Sequence, residues 1–243
     1  MRPVKISIVV PAYNEERLLA GSLAQMQAAA AAFTARGWGF ELIVCDNNST
    51  DRTAEIARAA GATVVSEPFN QIARARNRGA AAATGDWLVF VDADSHPSAE
   101  LFADAAEQIQ TGRCLAGGST VRLDSHHWLS EGVNAFWNFL SRCGCLLAGS
   151  FIFCETATFR KIGGFSDKLY AGEELELSGR LKKLARETGR SIVILHRHPL
   201  VTSARKLRLY SLREYLRLVV RAGINRRTLT DREACHMWYD GRR

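Results

Sequence analysis

A chain of 243 residues with 47% hydrophobic, 23% charged and 9% aromatic residues has the composition of one soluble globular domain, which excludes a disordered polymer, a collagen and a coiled coil. Lysine and arginine exceed aspartate and glutamate by 32 to 25, a net charge of +7; this suits a phosphate-bearing partner without choosing among nucleotide, nucleic acid and anionic lipid. At this length a core closes without staples; the six cysteines form no CxxC pair, and Cys143-Gly-Cys145 reads as a chance pair in a core segment.

The N-terminus runs directly into a β-branched strand, Ile6 to Val10, with no apolar leader, so the expected compartment is the cytoplasm. Asn14 is positioned to cap a helix in which Leu19, Leu23 and Met26 share one face. Residues 41–45 form a second strand, Ser49 to Asp51 supply cap chemistry for a helix through Ala60, and 63–65 form a short third strand. A helix from about Ile72 to Ala83 precedes Trp87 to Val91, whose unbroken apolar run marks a central strand covered on both faces. This order predicts an α/β fold, a mainly parallel central sheet with helices on both sides.

A helix follows over 101–110. From about Gly112 to Phe159 no clean period emerges, and the segment is expected to be mixed α/β. Residues 173–187 read as a helix with Leu177, Leu181 and Leu184 on one stripe, followed by a strand over 191–195. The tail from Arg205 to Arg227 is basic and amphipathic. One domain is expected, with 1–111 as its first half, 112–204 as its second and 205–243 as an extension. No run of about 18 apolar residues is present for a membrane span.

Parallel open sheets bind ligands at the carboxyl ends of their strands. Three such positions are rich in chemistry: Pro11 to Glu15, Asp46 to Asp51, and Asp92-Ala93-Asp94. Neither GxGxxG after the first strand nor GxxxxGK anywhere offers a phosphate cradle. Two carboxylates at i and i+2 of an extended segment point to one side, an arrangement suited to Mg²⁺ or Mn²⁺ with water and phosphate completing the shell. The competing reading is two solvated acids before a helix opening at Pro97-Ser98-Ala99-Glu100.

The runs Val9 to Glu16, Cys45 to Asp51, Ala75-Arg76-Asn77-Arg78-Gly79 and Gly85 to Asp94 resemble the ordered signature of the family 2 glycosyltransferases. Lys161 to Ser166 and Ala171 to Leu181 are similar to that family's acceptor-side motif. The resemblance spans roughly residues 4–200. It implies a GT-A-type, Rossmann-like fold, a nucleotide-sugar donor, a divalent metal and inversion at the anomeric carbon. By the same resemblance Pro11, Tyr13 and Glu15 line the nucleoside pocket. Asp46 accepts from a base N–H, most simply that of uracil, which favours a UDP-sugar; its alternative is a helix-capping acid. Arg76 and Asn77 lie near the diphosphate. Asp94 is the main metal ligand with Asp92 as its partner, and Glu173 and Glu174 stand where the family has Glu-Asp, the second member acting as general base. Glutamate at 174 departs from that pattern by one methylene.

After the last strand, His198 is a candidate third metal ligand and Arg205 a candidate diphosphate contact; a surface histidine and a general basic face are the alternatives. Trp128, Phe136, Trp137, Phe139 and Phe151 are expected to pack the core, with sugar stacking or lipid shelter as the alternative. The basic tail is expected to pack on the domain with its charges solvated, and peripheral contact with an anionic membrane is left open. The acceptor is a saccharide, a lipid-linked or a small-molecule hydroxyl, and no nucleic acid is expected, because the richest constellation is acidic. A nucleotidyltransferase and a noncatalytic nucleotide-sugar-binding module are the competing functions.

Overall fold

In a computed structural model, residues 3–124, 128–205 and 225–239 are described. One sheet of eight strands runs through the molecule in the order β3-β2-β1-β4-β7-β6-β8-β5. The strands are β1 (Lys5–Ala12), β2 (Gly39–Asp46), β3 (Thr63–Ser66), β4 (Trp87–Val91), β5 (Ser95–His96), β6 (Cys114–Leu123), β7 (Phe151–Glu155) and β8 (Ser191–Thr202). The first four pair in parallel, β7 runs antiparallel to both β4 and β6, and β6 and β8 are again parallel.

Period-two alternation sorts the strands between two cores. Ile6, Ile8 and Val10 of β1 face one side with Trp87, Val89 and Val91 of β4; Val9, Leu88 and Phe90 face the other. The first core is covered by α1 (Leu19–Ala29), α2 (Ala31–Thr34), α3 (Thr53–Ala59) and α5 (Ala99–Gln110), and the second by α4 (Ile72–Ala82), α7 (Thr156–Lys161) and α8 (Glu173–Thr188). A Cβ on Gly79 would run into the Val9 side chain, so the absence of one lets α4 lie close against β1.

One local expectation changes, and two hold. Asn14 does not cap α1, which begins at Leu19 without a side-chain cap. Asn14 sits at φ 52° and its Oδ1 accepts from the Thr50 N–H at 2.8 Å, tying the exit of β1 to the exit of β2. Ser98 does cap α5, accepting from the Leu101 N–H at 3.2 Å. The segment after Gly112 resolves into β6, α6 (Trp128–Gly144), β7 and α7.

Phe151 is fully buried and Trp137 partly so, but Phe136 and Phe139 are exposed, against the expectation that both pack the core. The Trp128 side chain lies outside the described residues. All five other cysteines considered with Cys143 are free as well, and Cys143 itself is exposed at the end of α6. Most of the basic tail, 206–224, lies outside the described residues. The chain returns at 225–239, where Leu229, Cys235, Met237 and Tyr239 pack on Tyr170 and Ala171.

Candidate functional site

β1 leads leftward to β2 and β3, while β4 lies on the other side of β1, so the sheet's order reverses between β1 and β4. A cleft opens there at the strands' carboxyl ends. It is lined by Pro11 near the end of β1, Tyr13 and Glu15 just after it, Asn47 after β2, Asp92 to Asp94 after β4, and Arg205 after β8. Asn70, Ile72 and Tyr239 complete it.

Arg205 acts as a fork between two loops. Its Nη1 and Nη2 donate to the two Glu15 carboxylate oxygens at 3.0 and 2.8 Å, and Nη2 also reaches Asp94 Oδ2 at 3.3 Å. Burial opposes the guanidinium's charge, but Glu15 and Asp94 outweigh it and hold its pKa above the ordinary value. A residue 111 positions from Asp94 in sequence thereby joins the loop after β4 to the end of β1.

A second cleft adjoins the first and shares Asp92 and Ile72 with it. Arg76, Gly149, Ser150, Tyr170 and Gly172 line it together with Glu173 and Glu174. Gly172 precedes α8 in the left-handed region at φ 72°, a conformation natural to glycine, and this sets the two glutamates on the first turn facing the cleft.

Arg76 is 2% exposed and donates to Glu173 Oε1 at 2.7 Å, Asp92 Oδ1 at 2.9 Å and the Gly149 carbonyl at 2.9 Å. Burial alone would lower its pKa; Asp92 and Glu173 overcome that and keep it charged. Among the described residues Glu174 has no such clamp. Burial first, and the Glu173 carboxylate beside it, push its pKa up to about 8 against the partial relief of Arg76. Two adjacent glutamates thus have different chemistry: one is held by an arginine, the other is a carboxyl that exchanges protons near neutrality.

Asp92 and Asp94 offer only carboxylate oxygens, hard donors at adjoining positions of one loop. Among the described residues no three histidine, cysteine or acidic side chains gather to enclose a metal. The pair fits a hard divalent cation such as Mg²⁺ or Mn²⁺, which takes one or two carboxylates and fills its shell with water and phosphate oxygens.

Four sequence-derived assignments land differently. His198 does not line the cleft: the pairing of β6 and β8 shifts between Ser119 opposite Leu195 and Val121 opposite Leu200, so 196–199 bulge toward α5. There His198 Nδ1 bonds Asp104 Oδ2 at 3.0 Å. Asn77 is spent on the backbone, donating to the Phe165 carbonyl and accepting from the Phe165 N–H, both at 2.9 Å, and it lines neither cleft. Asp46 Oδ1 accepts from the Ser49 N–H at 3.1 Å within the turn after β2, not at the start of α3, and Asn47 rather than Asp46 lines the cleft. Arg76 meets carboxylates of the protein where a diphosphate contact was expected.

Sequence reasoning reached Asn47 only as part of the run from Asp46 to Asp51, and missed Asn70, Gly149, Ser150, Tyr170 and Tyr239. Tyr239 is the least foreseeable, because its hydroxyl donates to the Tyr170 carbonyl at 2.8 Å across 69 residues. Asn70 carried a weak signal in Asn47, which donates to Asn70 Oδ1 at 3.2 Å while accepting from the Gln71 N–H.

The chain is similar to an uncharacterized glycosyltransferase of Mycobacterium tuberculosis, 32% identical over 123 residues that cover 51% of this chain and 52% of that one. It is also similar to the undecaprenyl-phosphate 4-deoxy-4-formamido-L-arabinose transferase of Pseudomonas aeruginosa, 33% identical over 144 residues, 53% of this chain and 40% of the relative. The chain spans about half the length, or less, of these curated relatives. Among solved structures, a mannosyltransferase from Pyrobaculum calidifontis in complex with GDP-Man and Mn²⁺ superposes with a TM-score of 0.68 at 20% identity, covering 98% of this chain and 69% of that one. Glucosyl-3-phosphoglycerate synthase of Mycobacterium tuberculosis gives 0.65 at 21% identity, covering 96% and 80%. These likenesses place the fold in the GT-A type. The family model for glycosyl transferase family 2 matches residues 7–159, more than half of the chain, and the chain belongs to that family.

Proposed function

We propose that this chain is an inverting glycosyltransferase that moves a sugar from a nucleoside-diphosphate donor to an acceptor hydroxyl. The observation that carries the reading is Asp92, which lies on the wall between two clefts, with Asp94 and Arg205 on one side and Glu173 and Glu174 on the other. Donor and acceptor can therefore meet across a single carboxylate. In this reading 1–111 form the donor half and 112–204 the acceptor half.

The donor's nucleoside lies against Pro11 and Tyr13, and its diphosphate near Arg205, whose fork matches phosphate oxygens as well as carboxylates. A UDP-sugar is the donor we favour, on the resemblance that assigns the acceptor-only carboxylate of Asp46 to the base. A divalent cation held by Asp94 and Asp92 would neutralise charge developing on the departing diphosphate. Glu174 accepts the proton of the acceptor hydroxyl as its oxygen bonds to the anomeric carbon from the face opposite the diphosphate. The bond to the diphosphate oxygen breaks in the same displacement, which inverts the centre and calls for no covalent enzyme intermediate. Arg76 holds Glu173 in place by a 2.7 Å hydrogen bond and leaves the proton transfer to Glu174.

The test is thermal stability against UDP-, GDP-, dTDP- and CMP-sugars with Mn²⁺, with Mg²⁺ and with chelator. A donor present at 100 times its Kd adds about 2.7 kcal/mol to folding stability. A cation-dependent rise for one nucleotide is expected, followed by slow release of nucleoside diphosphate without acceptor. No rise with any donor would overturn the reading, and a rise without turnover would leave a binding module.

A further inference from the structure

The helix α6 has its amphipathicity reversed. Asn138 accepts from the Val121 N–H at 3.0 Å and donates to the Val121 carbonyl at 2.8 Å, and Asn134 donates to the same carbonyl at 2.8 Å. The cause lies in the sheet: β6 continues to Leu123 after its last partner in β7, Gly118 opposite Ile152. Beyond that point the strand's backbone groups on the β7 side need partners, and the two amides of α6 supply them at Val121.

Turning the asparagines inward turns the apolar residues outward. Val133, Phe136, Phe139 and Leu140 are 49%, 64%, 61% and 38% exposed, and with the exposed Cys143 they form a stripe without a charge. Exposed patches of this kind mark interaction faces. The stripe offers on the order of 400 Å² of apolar side chain, about half of the ~800 Å² per partner that a stable protein interface covers. That is too little for a second copy of the chain and enough for a helix lying in a bilayer interface. The exposed Arg142 in the helix's last turn and the net charge of +7 suit an anionic lipid surface. Among the described residues no helix is long and apolar enough to cross a membrane.

Continuity with the second cleft gives the face a purpose. Just past α6 the Leu147 N–H donates to Ser178 Oγ on α8 at 3.1 Å, and the Gly149 carbonyl accepts from Arg76. Gly149 and Ser150 line the cleft that holds Glu173 and Glu174.

We propose that the Val133-Phe136-Phe139-Leu140 face of α6 rests on a lipid bilayer and brings the acceptor cleft to a hydroxyl or phosphate group carried by a lipid in it. The second clause rests on the glycosyltransferase reading; the first does not.

The experiment is co-sedimentation of the full chain with phosphatidylglycerol vesicles and with phosphatidylcholine vesicles, for the wild type, Phe136→Ser/Phe139→Ser and Phe136→Trp. The wild type is expected to pellet with phosphatidylglycerol. The double serine variant should lose about tenfold or more of that partition with unchanged Tm, and Phe136→Trp should keep it. Nucleotide-sugar stabilisation, read separately, should be the same in all three.

A wild type that stays in the supernatant with both vesicles overturns the proposal, as does a double variant that pellets as well as the wild type. A wild-type dimer without lipid that the double variant dissolves would assign the face to a second copy. Vesicle binding without any nucleotide-sugar stabilisation keeps the lipid face and removes the acceptor clause.

Discussion

Arg76 and Glu173 meet at 2.7 Å with side chains 2% and 4% exposed, and the same guanidinium reaches Asp92 at 2.9 Å. A single cation thus ties Asp92, after β4, to the first acid of α8, 97 residues from its own position. Removing it leaves two carboxylates uncompensated in a buried setting. Arg76→Ala is expected to cost ~3–5 kcal/mol of stability by urea denaturation. Arg76→Lys keeps the charge but lacks the fork to span both acids, so it should retain much of the stability and lose most of the transfer rate. Full activity in the lysine variant would show that the bridge is dispensable.

Glu174 is expected to impose a pH dependence of definite sign. Its pKa is raised from 4.5 to about 8 in the folded chain, by burial and by Glu173. Between those values the native protein holds the proton and the unfolded chain has released it, so stability falls as pH rises through the window and levels off above it. Glu174→Gln removes this loss. The variant should be at least as stable as wild type, with a margin in Tm that grows across the same window. It should also bind donor normally and transfer no sugar, while the wild-type rate climbs with pH toward about 8. A wild-type rate that is flat from pH 5 to 8 would remove Glu174 as the base.

Asn77 illustrates a side chain used for architecture beside a site. Its amide pairs with both backbone groups of Phe165, a residue 2% exposed after a loop whose Gly163 and Gly164 lie at φ 81° and 68°. Asn77→Ala would strand those two groups, at a cost of ~1–3 kcal/mol in denaturant unfolding. Donor affinity should change little. A large drop in donor affinity at unchanged stability would restore the diphosphate contact expected from the sequence.

His198 is a comparable case with a smaller expected effect. Its side chain is 44% exposed and its partner Asp104 also receives Arg197 at 3.2 Å. His198→Ala should shift stability by less than about 1 kcal/mol and leave the cation requirement of donor binding unchanged. Loss of cation-dependent stabilisation in this variant would return the histidine to the metal.

The parallel half of the sheet was legible because its strands carry the signal that a doubly covered strand must carry. Trp87 to Val91 is apolar at every position, and all five residues are buried between the two cores. The acids at the strand ends were legible for the same reason: a short loop after a central strand leaves them nowhere else to lie. The region after Gly112 was not. Phe136 and Phe139 read as core, whereas Asn134 and Asn138 turn inward to the unpaired end of β6 and both rings are exposed. Asp46, Asn77 and His198 share one ambiguity. A polar side chain that could meet a ligand can equally satisfy a neighbouring backbone group or acid, and only tertiary geometry decides. Arg76 and Glu173 were named, but nothing in their spacing says that each is the other's counter-ion.

Arg205 raises a last expectation, about competition. It forms a bidentate pair with Glu15 and extends to Asp94, so it places a positive charge beside the carboxylate proposed to hold a cation. Without nucleotide, that charge opposes a divalent ion at the same oxygen; with nucleotide, the diphosphate offers Arg205 a second anionic partner. Arg205→Gln should therefore bind Mn²⁺ more tightly than wild type in the absence of nucleotide, by calorimetry, and bind the nucleotide-sugar more weakly in its presence. The two shifts have opposite sign, which separates this role from simple loss of structure, since unfolding would weaken both. Parallel weakening of Mn²⁺ and donor binding would mean that Arg205 merely holds Glu15 and Asp94 in place.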